Sequence, residues 1–234
     1  MDHIAQTHSD AGLDSRRIGF IRSAYLHLGG AIVAFTLLGV AFYLSGVGVA
    51  MLKLMGASKW AWIGFLGAFM VVGWLASSWA DNADSNGKQL LGLAVYVVAE
   101  ALIFAPILAI AGRIAPGAIG AAAFITLLLV GGLTFTAFTL KKDFSFLGGI
   151  LKISGFVALG AILASVIFGF QLGVWFSAIM IIFAGGCVLY DTSNIIHHYP
   201  EDRPAGAALH LFASVALMFW YVLRLLMSFA GSDD

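Results

Sequence analysis

Gln89-Leu-Leu-Gly-Leu-Ala-Val-Tyr96-Val-Val-Ala-Glu100-Ala-Leu-Ile-Phe-Ala-Pro106-Ile-Leu-Ala-Ile-Ala111 decides the fold. Only one charged side chain, Glu100, interrupts it. A bilayer core about 30 Å thick is crossed by a helix of roughly 20 apolar residues, so this stretch is long enough to span one. Comparable runs lie on both sides, at residues 23–44, 60–80, 117–140, 146–168, 173–190 and 205–230. The gaps between them are short. Of the 234 residues, 61% are hydrophobic and only 10% charged, whereas a soluble chain carries roughly 25% charged residues. The sequence therefore reads as an all-α integral membrane protein of seven transmembrane helices embedded in a lipid bilayer. Residues 21–234 form the membrane domain, preceded by a flexible cytoplasmic tail at 1–20, and no room is left for a soluble catalytic domain.

Several function classes are set aside on composition and motif. Formal net charge is zero and no basic cluster is present, so no nucleic-acid partner is expected. Cys187 is the single cysteine, which forbids an internal disulfide. Nucleophile elbows, phosphate-binding glycine loops, zincin motifs and Cys-x-x-Cys pairs are all missing, so the chain is not read as an enzyme and no cofactor is expected. His197 and His198 are adjacent and point apart on a helix, so no metal site is expected, and His27 and His210 read as interior hydrogen-bonding groups.

Small residues at helical spacing, Gly117 with Ala121 and Gly160 with Ala164, are expected at close helix contacts. Orientation follows from basic residues, which are retained on the cytoplasmic side. An inside N-terminus puts Arg16, Arg17, Arg22, Lys88, Lys141, Lys142 and Arg203 in the cytoplasm, against Lys53, Lys59 and Arg113 outside. The C-terminus then lies outside after an odd number of spans.

Charged groups inside apolar spans are costly and mark functional candidates. Glu100 lies midway along its span, less than two turns before Pro106, and a carboxylate at that depth must be neutral or paired within the bundle. Its plain alternative is a buried hydrogen bond that fixes packing. Asp191, in Val188-Leu-Tyr-Asp191-Thr-Ser, closes the sixth span. It is either the N-cap of a short helix starting at Thr192 or a titratable carboxylate at the inner mouth of the bundle. Arg224 sits deep in the seventh span and is an ion-pair partner or a gate.

Two segments carry more than their composition: Lys141-Lys-Asp-Phe-Ser-Phe-Leu-Gly-Gly149 and Leu189-Tyr-Asp-Thr-Ser-Asn-Ile-Ile-His197. Together with the Pro106 segment and Leu223-Arg224, they resemble the Bax inhibitor-1 family, most closely its bacterial YccA branch. The resemblance implies a bacterial inner-membrane protein in which six helices surround a central seventh. It implies two activities. One is modulation of an FtsH-type membrane protease, for which the polar tail with Asp2, His3, Asp10 and Asp14 would be the handle. The other is a pH-sensitive calcium leak, in which calcium is the transported ion. That leak is controlled by paired aspartates on the sixth and seventh spans. Asp191 matches the first of these aspartates, and Ser214 stands where the second would be. A serine cannot form the coupled acid pair, so any switch here is expected to be shallow.

Overall fold

The computed structural model of the chain describes residues 2–56, 58–82, 85–140 and 142–230, with the backbone alone for residues 2–14 and 59. The described residues form eight helices and no strand: α1 Asp2–Leu44, α2 Val47–Gly56, α3 Lys59–Ala80, α4 Asn86–Ile114, α5 Ala118–Leu140, α6 Leu147–Phe168, α7 Val174–His197 and α8 Pro204–Ala230. Seven are long and apolar enough to cross a membrane, with Ser15–Leu44 as the crossing part of α1. This is a multi-pass membrane protein. Between α1 and α3 lies α2, a ten-residue apolar helix. It is too short to cross a bilayer and lies outside the seven predicted spans.

Helix boundaries follow local chemistry. Ser58 caps α3 by accepting from the Trp60 amide, and Ser85 caps α4 by accepting from the Lys88 amide. A left-handed glycine, Gly169 at φ 75°, closes α6, a conformation that glycine adopts without a Cβ penalty. Pro204 opens α8, where its missing N–H is not needed.

Two helices fill the interior. In their most apolar stretches 56% of α4 and 50% of α8 is buried, against 6% of α3 and of α6. α8 packs on α1, α3, α4, α5 and α7. Phe104 of α4 lies at the centre, edge-on to Phe35 of α1 at 5.0 Å and stacked on Phe219 of α8 at 5.5 Å. Large side chains on the outside, such as Phe156, Trp175 and Ile182, are left for lipid.

Close backbone approach occurs away from the glycine pairs expected to provide it. Gly117 and Gly160 have open space where a Cβ would be, so they face outward. The contacts lie instead at Gly92, backed against Ala76 and Ala80 of α3, and at Gly48, where α2 rests on the Ala105 carbonyl of α4. Small-xxx-small spacing marks a smooth helix face but not the direction that face points.

The polar ties gather at one end of the bundle, on the connection of residues 198–203 between α7 and α8. Arg17 of α1 donates to the Ile196 and Tyr199 carbonyls at 2.9 and 2.6 Å. Buried Gln89 of α4 donates to the Asp202 carbonyl at 2.9 Å. From the α5–α6 connection, the Phe144 amide donates to Ser193 Oγ at 2.9 Å, and Asp143 meets His198 at 2.7 Å. Within the segment read as a tail, Phe20 is buried in the bundle and Arg17 is part of this lattice. The side chains of Asp2, His3, Asp10 and Asp14 lie outside the described residues.

Candidate functional site

α7 runs unbroken from Val174 to His197, so Asp191 stands inside it. That removes the capping alternative, since an N-cap precedes a helix and has non-helical backbone. On α8, residues 207, 210 and 214 recur at i, i+3 and i+7 and share one face. This face meets Asp191. Ser214 is buried, and its hydroxyl donates to Asp191 Oδ2 at 2.5 Å. Asp191 and His210 line a small cavity of about 220 Å³ with Tyr190, Asn194 and Tyr199.

A second carboxylate adjoins this cavity from the α3–α4 connection. Asp81 accepts from the Tyr199 hydroxyl through Oδ1 and lies 3.2 Å from His210 Nε2 through Oδ2. A carboxylate can only accept, so the His210 ring presents its Nε2 proton there. Burial would raise the Asp81 carboxyl. The hydrogen bonds from His210 and Tyr199, and the nearby charge of His210 and Arg203, outweigh it and hold Asp81 below the ordinary carboxylate value. The Tyr199 phenol is pushed up, first by burial and then by Asp81. Gly206 completes the contact, because a Cβ there would overlap both Asp81 and Tyr199. Farther out, the exposed Asp143 carboxyl is held at about 2, chiefly by the Ser145 amide and then by His198.

Ser214 also lines a larger cavity, of about 580 Å³, which extends toward the opposite end of the bundle between α3, α4, α6 and α8. Glu100 is in its wall, 7% exposed, with the Tyr96 hydroxyl donating to Oε1 at 3.1 Å. Arg224 closes its far end and donates to the Leu172 carbonyl at 3.1 Å. Of the four membrane residues singled out in the sequence, Asp191 and Ser214 are therefore in contact. Glu100 and Arg224 stand beyond Ser214 in the second cavity, and Arg224 pairs with a backbone carbonyl rather than a carboxylate. Among the described residues, no group of three or more His, Cys, Asp or Glu is assembled to hold a metal ion.

The profile of the family described as "Inhibitor of apoptosis-promoting Bax1" matches residues 17–231, nearly the whole chain. The chain belongs to this Bax inhibitor-1 family. Its relatives include an uncharacterised protein of Pseudomonas aeruginosa, 37% identical over 113 residues that make up 47% of this chain and 49% of that protein. "Modulator of FtsH protease YccA" of Escherichia coli is 35% identical over 96 residues, 41% of this chain and 43% of the relative. Bax inhibitor 1 of Schizosaccharomyces pombe is 34% identical over 120 residues, 48% and 43% of the two chains. The chain thus spans less than half the length of each of these relatives. The family resemblance read from the two quoted segments holds across the membrane domain.

Sequence reasoning missed Asp81 and Tyr199 and took His210 only as an interior hydrogen-bonding group. Asp81 follows Ala80 at the end of a span and looks like a solvated loop residue, and its partners lie 118 and 129 positions away. One signal was available. His210 and Ser214 are four residues apart on α8, so whatever places Ser214 against Asp191 also brings His210 to that side of the helix.

Proposed function

We propose that this protein modulates an FtsH-type protease of the bacterial inner membrane, its N-terminus in the cytoplasm and its C-terminus outside. The name of the Escherichia coli relative supports this reading, and so does the division of basic residues between the two ends. The observation that carries it is the lattice on the α7–α8 connection, which Arg17, Asp81, Gln89 and the α5–α6 connection all engage. A protease that pulls on α1 meets Arg17 early and must break contacts to α7 before a span can be withdrawn. Such a chain occupies the enzyme longer than it is degraded. The test is turnover by a purified FtsH-type protease in proteoliposomes. Deleting residues 2–15 should leave the bundle folded and change turnover, and unchanged turnover with unchanged binding would remove the tail from the mechanism.

A second reading, a pH-sensitive calcium leak, is favoured by the Ser214–Asp191 hydrogen bond. Ser214 lines the larger cavity and Asp191 the smaller one, so this contact separates two spaces that together extend along the bundle. Calcium flux into sealed vesicles containing the purified protein tests it. Asp191→Asn should suppress pH-dependent flux and Ser214→Asp should strengthen it. The leak reading fails if Asp191→Asn keeps the full pH response.

A further inference from the structure

We propose that the larger cavity is a binding site for a lipophilic organic cation, which Glu100 holds against an aromatic wall. The inference is independent of whether ions cross the bundle. At about 580 Å³, the cavity falls within the roughly 300–1,000 Å³ of small-molecule sites. Trp62, Phe69, Tyr96, Phe104, Trp220 and Tyr221 are among the residues lining it, and aromatic faces attract cations through their ring quadrupoles.

Glu100 supplies the charge. It is 7% exposed, its one hydrogen bond comes from the neutral Tyr96 hydroxyl, and among the described residues no ion pair reaches it. Arg224 is in the same cavity, yet its guanidinium is engaged with the Leu172 carbonyl at the far end. A carboxylate in low dielectric without a positive partner is unfavourable, and a ligand that brings the missing charge relieves this.

The surrounding chemistry selects the class of cation. A calcium ion takes about six to eight oxygen ligands, whereas the polar side chains lining this cavity besides Glu100 and Arg224 are Tyr96, Ser165, Ser214 and Tyr221. An organic cation asks instead for one carboxylate, aromatic faces and apolar volume, all of which are present. An anionic amphiphile would gain nothing from Glu100 and would have to displace the Leu172 carbonyl from Arg224.

The experiment uses the full chain in detergent micelles, with tetraphenylphosphonium as probe and quenching of the cavity tryptophans, Trp62 and Trp220, as readout. Triphenylphosphine oxide serves as the neutral aromatic control. Saturable cation binding is expected, displaced by tetrapentylammonium and weakened about tenfold or more in Glu100→Gln. Glutamine keeps the side-chain volume and an acceptor for Tyr96. Asp191→Asn should leave the affinity unchanged, which separates this site from the leak reading. Ala213→Trp, which fills the cavity while Glu100 stays intact, should abolish binding even if Glu100→Gln fails to fold. The proposal is overturned by equal affinity in wild type and Glu100→Gln, by full affinity in folded Ala213→Trp, by the neutral oxide binding as tightly as the cation, or by displacement of the probe by oleate.

Discussion

Replacing Gly206 by alanine tests how tightly the start of α8 is docked on α3. A Cβ there would stand 2.5 Å from Asp81 Oδ1, 2.6 Å from the Tyr199 hydroxyl and 2.7 Å from the Ala80 carbonyl oxygen. Side chains can yield, but that carbonyl belongs to the last turn of α3 and would have to retreat by about 0.7 Å to reach an ordinary contact of 3.4 Å. α3 has little freedom to do so, because Ala76 and Ala80 are already backed against Gly92. Overpacking of this kind costs about 1–3 kcal/mol. Displacing the Tyr199 hydroxyl from a charged acceptor costs about 1.5–3 kcal/mol more. The two overlap, so Gly206→Ala is expected to lose about 2–5 kcal/mol. Equilibrium unfolding in mild detergent with rising SDS, followed by tryptophan fluorescence, measures it. Gly117→Ala, where nothing stands within 4 Å, is the control and should change stability by less than about 0.5 kcal/mol. Tyr199→Phe combined with Gly206→Ala should cost less than the sum of the single changes, since phenylalanine removes one of the clashing oxygens. A Gly206→Ala variant that unfolds together with the wild type would refute the docking argument.

Asp81 gives an acid response of definite sign. Its carboxyl is held below the ordinary value when folded, so it contributes stability above the unfolded value of about 3.9 and loses it as pH falls through the folded one. Asp81→Asn should be less stable than wild type at neutral pH and should lose less on acidification below about pH 4, whereas a parallel loss would show that Asp81 is not responsible. Arg17→Ala leaves two carbonyls of the α7–α8 end without their donor and should cost about 2–4 kcal/mol in the same unfolding assay; a loss below about 0.5 kcal/mol would mean that water replaces the guanidinium there. Reporter fusions check orientation: one at residues 82–87 should read inside and one after Asp234 outside, and two reports from the same side would contradict the span count.

Seven spans were legible because the bilayer imposes a length on apolar runs that few other structures share. Their ends were legible within a few residues where serine, proline or glycine chemistry marks them, as at Ser58, Pro204 and Gly169. The first and sixth spans were the exceptions, the first being helical well before residue 23. Asp191 and Asn194 look like a boundary, yet α7 continues through them, because Ser214, His210 and the adjoining cavity accommodate polar groups at that depth. Which small residues touch could not be read, since Gly160 and Gly92 differ only in the direction their helices turn. Ser214 was reached through family resemblance, and periodicity alone would have left it as one small residue among many. Asp81 and Tyr199 required the fold itself, for nothing local in either segment points to the other.

The lattice on the α7–α8 connection also bears on how the protein is made. Ribosomes deliver the chain from its N-terminus, so Arg17, Asp81, Gln89 and the Phe144 amide enter the membrane system before residues 193–210, which are their partners. Until the last hairpin arrives, these groups must stay with water or the insertion machinery. A chain released after Phe168 would carry five of its seven spans and still lack the hydrogen-bond partners that tie them together. Assembly is therefore completed by the final two helices, and an interrupted chain announces itself to quality control by the polar groups it leaves unpaired.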